Sequence, residues 1–137
     1  MLHSEMDEKS LFGEQRMNWN EVSASVRADV IEMSHRAKTA HLASALSCVD
    51  ILTVLYTSIL EIDPNFPQKP DRDKFILSKG YAATALYAML AYKGIINRED
   101  LLNYGKKGSL LEGHPSPKEG RSTASLLPFE VVLYFVE

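Results

Sequence analysis

The chain has 137 residues, of which 45% are hydrophobic and 24% charged, and its formal net charge is −3. This length supports one domain with a single core, and the composition excludes a disordered or fibrous protein. The 18 acidic and 15 basic side chains are mixed along the chain, so no broad positive field is expected to hold a nucleic acid.

The single cysteine and the first residues bear on the compartment in which the protein works. Because Cys48 is alone, we expect neither an internal disulfide nor a cysteine-based zinc cluster. The N-terminal residues lack the basic start and continuous apolar run of a secretory signal. No segment approaches the roughly 20 apolar residues that span a bilayer. These features predict a cytoplasmic protein without a membrane partner.

The first predicted helix follows a flexible arm over residues 1–17, with one domain expected over 18–137. Asn20 is predicted to cap this helix. One face of the helix is expected to be core, because its apolar residues recur at three- and four-residue spacing. They are Val22, Val26, Val30, Met33 and Ala37.

The second predicted helix comes after a loop over residues 38–47. Ser47 and Asp50 resemble a capping pair, and the apolar run "VDILTVLYTSIL" that follows predicts a buried helix. The next segment is expected to be a surface loop, since its prolines remove backbone donors. These prolines are Pro64, Pro67 and Pro70.

A short strand is predicted at residues 75–77, followed by a tight turn at 78–80 and a helix from Tyr81 to about Lys93. Gly94 stands where a left-handed helix end is expected, and a further short helix is predicted at residues 98–104. The final residues, "LLPFEVVLYFVE", are so apolar that they must be buried or dock on a partner. We expect a helix-rich α/β fold with few strands, in a chain that is a truncated piece of something larger.

The turn between the predicted strand and helix is a candidate anion site. Free backbone N–H groups and the positive helix end would lie at the carboxyl edge of a sheet, where anionic ligands commonly bind. Lys79 and Lys106 are cations that could assist there, although lysines in such loops are more often solvated. The alternative is that Gly80 only satisfies the geometry of the turn.

Two loop histidines are candidate catalytic residues. His41 follows the first helix, and His114 lies in "LEGHPSP", where glycine and prolines fix the backbone. An imidazole in either place can donate to a substrate oxygen or exchange a proton near neutral pH. The alternative is a structural or solvent-exposed role. The sequence contains no dinucleotide, phosphate-loop or His-Glu-x-x-His motif.

Three blocks together resemble one family. "HLASALSCVDILTVLY", "DRDKFILSKGYAATALYAMLA" and "LLNYGKKGSLLEGHP" are similar, in one register over about residues 22–116, to the N-terminal section of transketolases, and especially to the N-terminal subunit of split transketolases. The resemblance implies a partial doubly wound α/β fold that binds thiamine diphosphate and Mg²⁺. It also implies transfer of a two-carbon ketol unit between sugar phosphates of the pentose phosphate pathway, in an oligomer with a C-terminal subunit or by self-association.

The resemblance also assigns residues. His41 and His114 fall on family histidines that face the substrate, and His114 also faces the cofactor. Gly80 and Tyr81 fall near the cofactor's diphosphate. The segment "STASLL" resembles a family segment whose backbone lies along the cofactor, which implies contacts from three of its residues. These are Ala124, Ser125 and Leu126.

Several positions depart from the family pattern. Tyr81 replaces a histidine, and a phenol cannot shuttle protons at neutral pH as an imidazole can. Ala124 and Leu127 stand at glycine positions, so a close backbone approach could be blocked. The Gly-Asp-Gly stretch that binds magnesium is absent, so no metal ligand is assigned. We expect the isolated chain to be inactive; the alternative is a non-catalytic remnant or interaction module.

Overall fold

The computed structural model describes residues 17–67, 69–111 and 113. Predictions for residues 1–16 and 114–137 therefore lie outside the described residues. The regular structure of the described part consists of five α-helices, one π-helical turn and one 3₁₀ turn. They are α1 (Trp19–Ala37), α2 (Leu42–Leu46), α3 (Val49–Val54), a π-helical turn (Leu55–Ile59), a 3₁₀ turn (Gly80–Ala82), α4 (Ala83–Tyr92) and α5 (Arg98–Leu102).

Helix α4 is the centre of the fold. Every residue from Ala82 to Leu90 is buried, and α4 packs against all four other helices. Its alanines leave room for close helix approach, while each buried leucine contributes about 1.5–3 kcal/mol by leaving water. The predicted helix after the glycine turn is thus confirmed, and its start is held firmly in the core.

Helix α1 begins at a different residue from the one predicted. The side-chain Oδ1 of Asn18 accepts hydrogen bonds from the backbone N–H groups of Asn20 (3.2 Å) and Glu21 (3.4 Å). Asn18 is therefore the capping residue, and the assignment of Asn20 was wrong. The predicted apolar face is confirmed, because Val26 and Val30 are fully buried.

The region between α1 and α3 is more helical than predicted. Residues 42–46 form α2, which the small and polar sequence did not suggest. The capping pair at Ser47 and Asp50 was wrong: the Ser47 hydroxyl donates to the carbonyl of Ser44 at 2.9 Å, and α3 starts after Cys48 without a side-chain cap. Local hydrogen bonding of the serine within the preceding turn explains the difference.

The segment Leu42–Ile59 is long and apolar enough to cross a membrane by length and composition, whereas the sequence alone led us to expect no such segment. In the structure it comprises α2, α3 and the π-helical turn, with a break in the helix at Ser47. Its buried residues, such as Val49 and Leu52, face α1 and α4. Core helices can have the same composition, but only 28% of this segment is buried, and Ile51 and Ile59 are exposed, so the predicted burial holds for one face of the segment.

The predicted strand at residues 75–77 is not a strand in the part of the chain that is described. Leu77 is buried, whereas Ile76 is 53% exposed, so only one face of the segment is covered. A strand needs a neighbour to pair its backbone groups, and the described residues supply none. The described residues thus form a helix-rich arrangement without strands, and the α/β sheet stays a prediction.

A buried carboxylate connects α1 to α5. Asp29 is 7% exposed, and its Oδ1 accepts a hydrogen bond from the guanidinium of Arg98, 69 positions along the chain. Its Oδ2 has no partner among the described residues. Burial raises the pKa of Asp29 above its ordinary value of 3.8, and the Arg98 charge opposes this rise. The folded state therefore holds the Asp29 proton more tightly than the unfolded state, so this group's contribution to stability falls as pH rises above 3.8.

We predict that Arg98→Ala destabilises the protein more at neutral than at acidic pH. Without Arg98 the ionised Asp29 loses its charged partner, which should cost about 1–3 kcal/mol at about pH 7, whereas near pH 4 the carboxyl group can protonate instead. Urea unfolding of both proteins at the two pH values measures the difference. Arg36→Ala, which breaks an exposed pair with Glu32, is the control and should change little at either pH. An equal loss for Arg98→Ala at both pH values would contradict the role of the pair.

Two glycines with positive φ provide a second test of packing. Gly94 (φ 74°) ends α4 as predicted, and a Cβ there would meet nothing within 4 Å. Gly105 (φ 75°) lies against α1, where a Cβ would come within 2.8 Å of the Ala37 Cβ. The two sites share the same backbone requirement and differ only in the available space.

We expect Gly94→Ala to cost about 1 kcal/mol through its left-handed backbone alone, and Gly105→Ala to cost more because of the added clash. Thermal or urea unfolding of the two variants compares them directly. Equal losses would mean that the loop after α5 moves away from α1 without cost.

Candidate functional site

A cavity of about 210 Å³ opens where the start of α4 meets the segment before α2. It brings together the candidate residues His41 and Tyr81, which are 40 positions apart in the sequence. The buried position of α4 places Tyr81 at the mouth of this cavity. The residues lining it are Thr39, Ala40, His41, Tyr81, Ala83, Thr84, Tyr104 and Gly113.

His41 has an unusual backbone conformation at this site. Its φ of 69° and ψ of 20° lie in the left-handed region, and its carbonyl accepts the first hydrogen bond of α2, from the N–H of Ala45 at 3.2 Å. Histidine is one of the few residues with a side chain that visit this region readily. The sharp turn directs the chain from α1 into α2 and leaves the His41 side chain exposed at the cavity.

The rings of His41 and Tyr81 are stacked. Their centroids are 4.0 Å apart and their planes are inclined by 32°. Tyr81 is 53% exposed, so one face of its ring covers the imidazole while the rest meets solvent. The two predicted site residues thus form one unit, in which the phenol limits the directions from which a ligand reaches the imidazole.

Lys79 and Lys106 each donate hydrogen bonds to protein groups in this arrangement. The Lys79 ammonium donates to the carbonyl of Ser44 (3.2 Å) and to the hydroxyl of Ser47 (3.1 Å). Lys106 donates to the side chain of Asn103. The chain turns at Gly80 with a φ that is not positive, so this turn does not depend on the left-handed geometry of glycine.

Three further residues of the wall were missed in the sequence. Thr84 and Tyr104 are buried, and burial raises the pKa of Tyr104 although a hydrogen bond with Thr39 opposes the rise. Thr84 lies three positions after Tyr81, and this helical spacing is the signal that could have identified it. The contributions of Thr39 and Tyr104 depend on how α1 and α5 pack against α4, which the sequence does not display.

The remaining predicted site residues are not among those described. His114 and the segment 124–126 lie outside the described residues. Gly113, which directly precedes His114, lines the cavity and brings the chain to it at that point.

The described wall of the cavity combines hydroxyl groups with one imidazole and carries no carboxylate, lysine or arginine. Hydroxyl groups both donate and accept hydrogen bonds, so the wall suits a ligand rich in hydroxyl groups. Within the described ranges, no group of three acidic, histidine or cysteine side chains is placed to hold a metal ion. A strongly charged ligand would therefore need a cation from elsewhere.

A second cavity, of about 220 Å³, lies between α1 and α5. Its lining includes Asp29, Arg36 and Arg98 but none of the predicted site residues. It belongs to the helix contact that the Asp29 ion pair holds.

Comparison with known proteins identifies a family for most of the chain. Residues 19–125 match the family described as transketolase, thiamine diphosphate binding domain. This match covers more than half of the chain and confirms the resemblance stated from the sequence.

Individual relatives agree with this assignment. One of the subunits of apulose-4-phosphate transketolase from Phocaeicola vulgatus is 41% identical over 90 residues, which are 66% of this chain and 32% of that protein. A subunit of 6-deoxy-6-sulfo-D-fructose transketolase from a Clostridium species is 34% identical over 101 residues, covering 74% and 37%. Human transketolase is 37% identical over 94 residues, covering 69% and 15%. The chain thus spans about a third of the subunit relatives.

The left-handed backbone of His41 yields a prediction about stability at this site. His41→Asn and His41→Leu both remove the imidazole, but asparagine tolerates the left-handed region and leucine does not. We expect His41→Leu to be the less stable of the two by about 1 kcal/mol in urea unfolding. Equal stabilities would show that the turn before α2 rearranges when the side chain changes.

Proposed function

Because the chain belongs to the transketolase family of thiamine diphosphate binding domains, we propose that it forms the diphosphate-binding and sugar-facing part of a transketolase-type enzyme. The proposed reaction moves a two-carbon ketol unit between sugar phosphates. The observation that carries the proposal is the single cavity wall shared by His41, Tyr81 and the residue before His114.

The proposed roles follow from what each side chain can do. His41 and His114 hydrogen-bond the hydroxyl groups of the sugar and exchange protons with them, since an imidazole can accept and donate near neutral pH. The hydroxyl groups of Thr39 and Thr84 add neutral partners for the same ligand. Thiamine diphosphate, when bound, supplies the carbanion chemistry that the transfer of a ketol unit requires.

Tyr81 is assigned a binding role and not a proton-transfer role. A phenol donates one hydrogen bond but keeps its proton at neutral pH. Its ring also lies against the His41 imidazole, with the ring centroids 4.0 Å apart. Gly80 and residues 124–126 are proposed to approach the cofactor through their backbone.

Mg²⁺ remains part of the proposal as a cation that would offset the charge of a bound diphosphate. The cavity wall offers no carboxylate, and the ammonium of Lys79 is already bonded to α2. The ligands of the metal must therefore come from outside the described residues. The described wall by itself fits the hydroxyl-bearing sugar better than it fits the diphosphate.

A partner subunit is the proposed source of the rest of the site. Two of the relatives are named as subunits, which supports a divided enzyme with a separate C-terminal chain. Large apolar side chains are exposed on several elements and can bury surface against such a partner. Ile51 is 63% exposed, Ile59 is 59% exposed and Ile76 is 53% exposed.

The second candidate function is a non-catalytic interaction module derived from a transketolase. The observation that favours it is the stacking of Tyr81 on His41, which covers a residue that catalysis would use. The two candidates differ in whether the cofactor binds.

Calorimetric titration of thiamine diphosphate with Mg²⁺ tests the proposal, with and without a C-terminal transketolase subunit. We expect binding by the native chain and tighter binding, on the order of tenfold, by Tyr81→His, because an imidazole can carry positive charge beside the diphosphate. Tyr92→His at the other end of α4 is the matched control and should leave the affinity unchanged.

Two results would contradict the proposed function. The first is absence of binding by the native chain and by Tyr81→His even with the C-terminal subunit, which would favour the interaction module. The second is an equal gain from Tyr92→His, which would remove Tyr81 from the site.

A further inference from the structure

The segment Lys79–Tyr81 contacts α2 at both of its ends, and we refer to this pair of contacts as the α2 clamp. Lys79 binds at the C-terminal end of α2, and Tyr81 stacks on His41 at the N-terminal end. The two contacting residues are separated by Gly80 alone. One short piece of backbone therefore sets the position of a five-residue helix.

The Lys79 contact satisfies groups that the end of a helix leaves open. The carbonyl of Ser44 lies in the last turn of α2, where carbonyl groups lack backbone partners within the helix and carry the negative end of the dipole. The Ser47 hydroxyl already donates to this carbonyl at 2.9 Å. The Lys79 ammonium donates to this carbonyl at 3.2 Å and to the Ser47 hydroxyl at 3.1 Å. A cation at this place is favourable for both reasons.

The Tyr81 contact is made with His41, the N-cap residue that precedes α2. His41 has a left-handed backbone, a conformation that persists when the surrounding structure determines it. Five residues make little more than one helical turn, which is too short to be stable on its own. The direction of the imidazole thus depends on contacts made from outside α2.

We propose that Lys79 is a positioning residue for His41, acting through the α2 clamp. With its ammonium in place, α2 is fixed relative to the start of α4, and the imidazole is held against the Tyr81 ring. This inference concerns the geometry of the protein without a bound ligand. It rests on the proposed function only where it assumes that the orientation of the His41 imidazole matters for binding a substrate. It gives Lys79 a role other than the anion binding considered from the sequence.

Nuclear magnetic resonance tests this inference by measuring the ring proton signals of the His41 imidazole in the absence of cofactor. The chain has four histidines, so the ring signals are few and His41→Asn assigns the one of interest. A stacked phenol displaces the ring proton signals of His41, and Tyr81→Leu defines the size of that displacement. All proteins are compared at one fixed pH at which ordinary imidazoles are neutral.

We expect Lys79→Met to lose most of the displacement that Tyr81→Leu defines, because methionine retains much of the apolar stem and loses the donors. Lys79→Arg should restore most of it, since a guanidinium can donate to the same two oxygens. Ser47→Ala removes one acceptor of the ammonium, together with the bond from the Ser47 hydroxyl to the Ser44 carbonyl, and should give an intermediate signal. Lys93→Met, at the far end of α4, is the control and should leave the His41 signal unchanged.

The outcomes separate this inference from simple loss of structure and from the proposed function. A native His41 signal in Lys79→Met, or no displacement in Tyr81→Leu, overturns the inference. An equal loss in Lys93→Met overturns it as well, because the effect would not be specific to the clamp. If Lys79→Met unfolds, the Ser47→Ala variant provides the test. A native His41 signal in Ser47→Ala then overturns the role of the ammonium contact. Because these signals are measured without cofactor, the result does not depend on whether thiamine diphosphate binds.

Discussion

Burial of α4 is the constraint on which the rest of the described structure depends. A helix with every residue from Ala83 to Leu90 buried has no face left for solvent along that stretch, so the other helices must surround it. Its first turn consequently has a fixed place, and Tyr81 is brought to the edge of the core. The candidate site is built at that edge.

The site itself combines rigid and strained parts. The first turn of α4 supplies Thr84, and the 3₁₀ turn just before it supplies Tyr81, whereas His41 stands on a left-handed turn before a very short helix. Binding sites work best when their side chains are held by surrounding structure. Here that support comes from the stacked phenol and from the Lys79 ammonium, which bridge the two parts of the wall.

Charge is distributed unevenly between the two cavities. The cavity beside Asp29 and Arg98 contains both signs of charge and ties α1 to α5. The cavity beside His41 has a neutral wall of hydroxyl groups and one imidazole in the described part. This difference agrees with a structural role for the first and with recognition of hydroxyl groups at the second. The second cavity is lined by residues of the segment 19–125, which matches the family described as transketolase, thiamine diphosphate binding domain.

The sequence by itself determined the family, the core face of α1, the buried helix after Gly80 and the left-handed end at Gly94. The family follows from the resemblance of three sequence blocks, whereas the other three features depend on local periodicity and on glycine geometry, which neighbouring residues reveal. The sequence analysis assigned the cap of α1 to Asn20 instead of Asn18, missed α2 and predicted a strand at residues 75–77. Such short elements are decided by the contacts they make and not by their own composition. Only the tertiary structure placed Thr39, Thr84 and Tyr104 around His41 and turned Lys79 toward α2. Such contacts join residues tens of positions apart, and no local pattern records them.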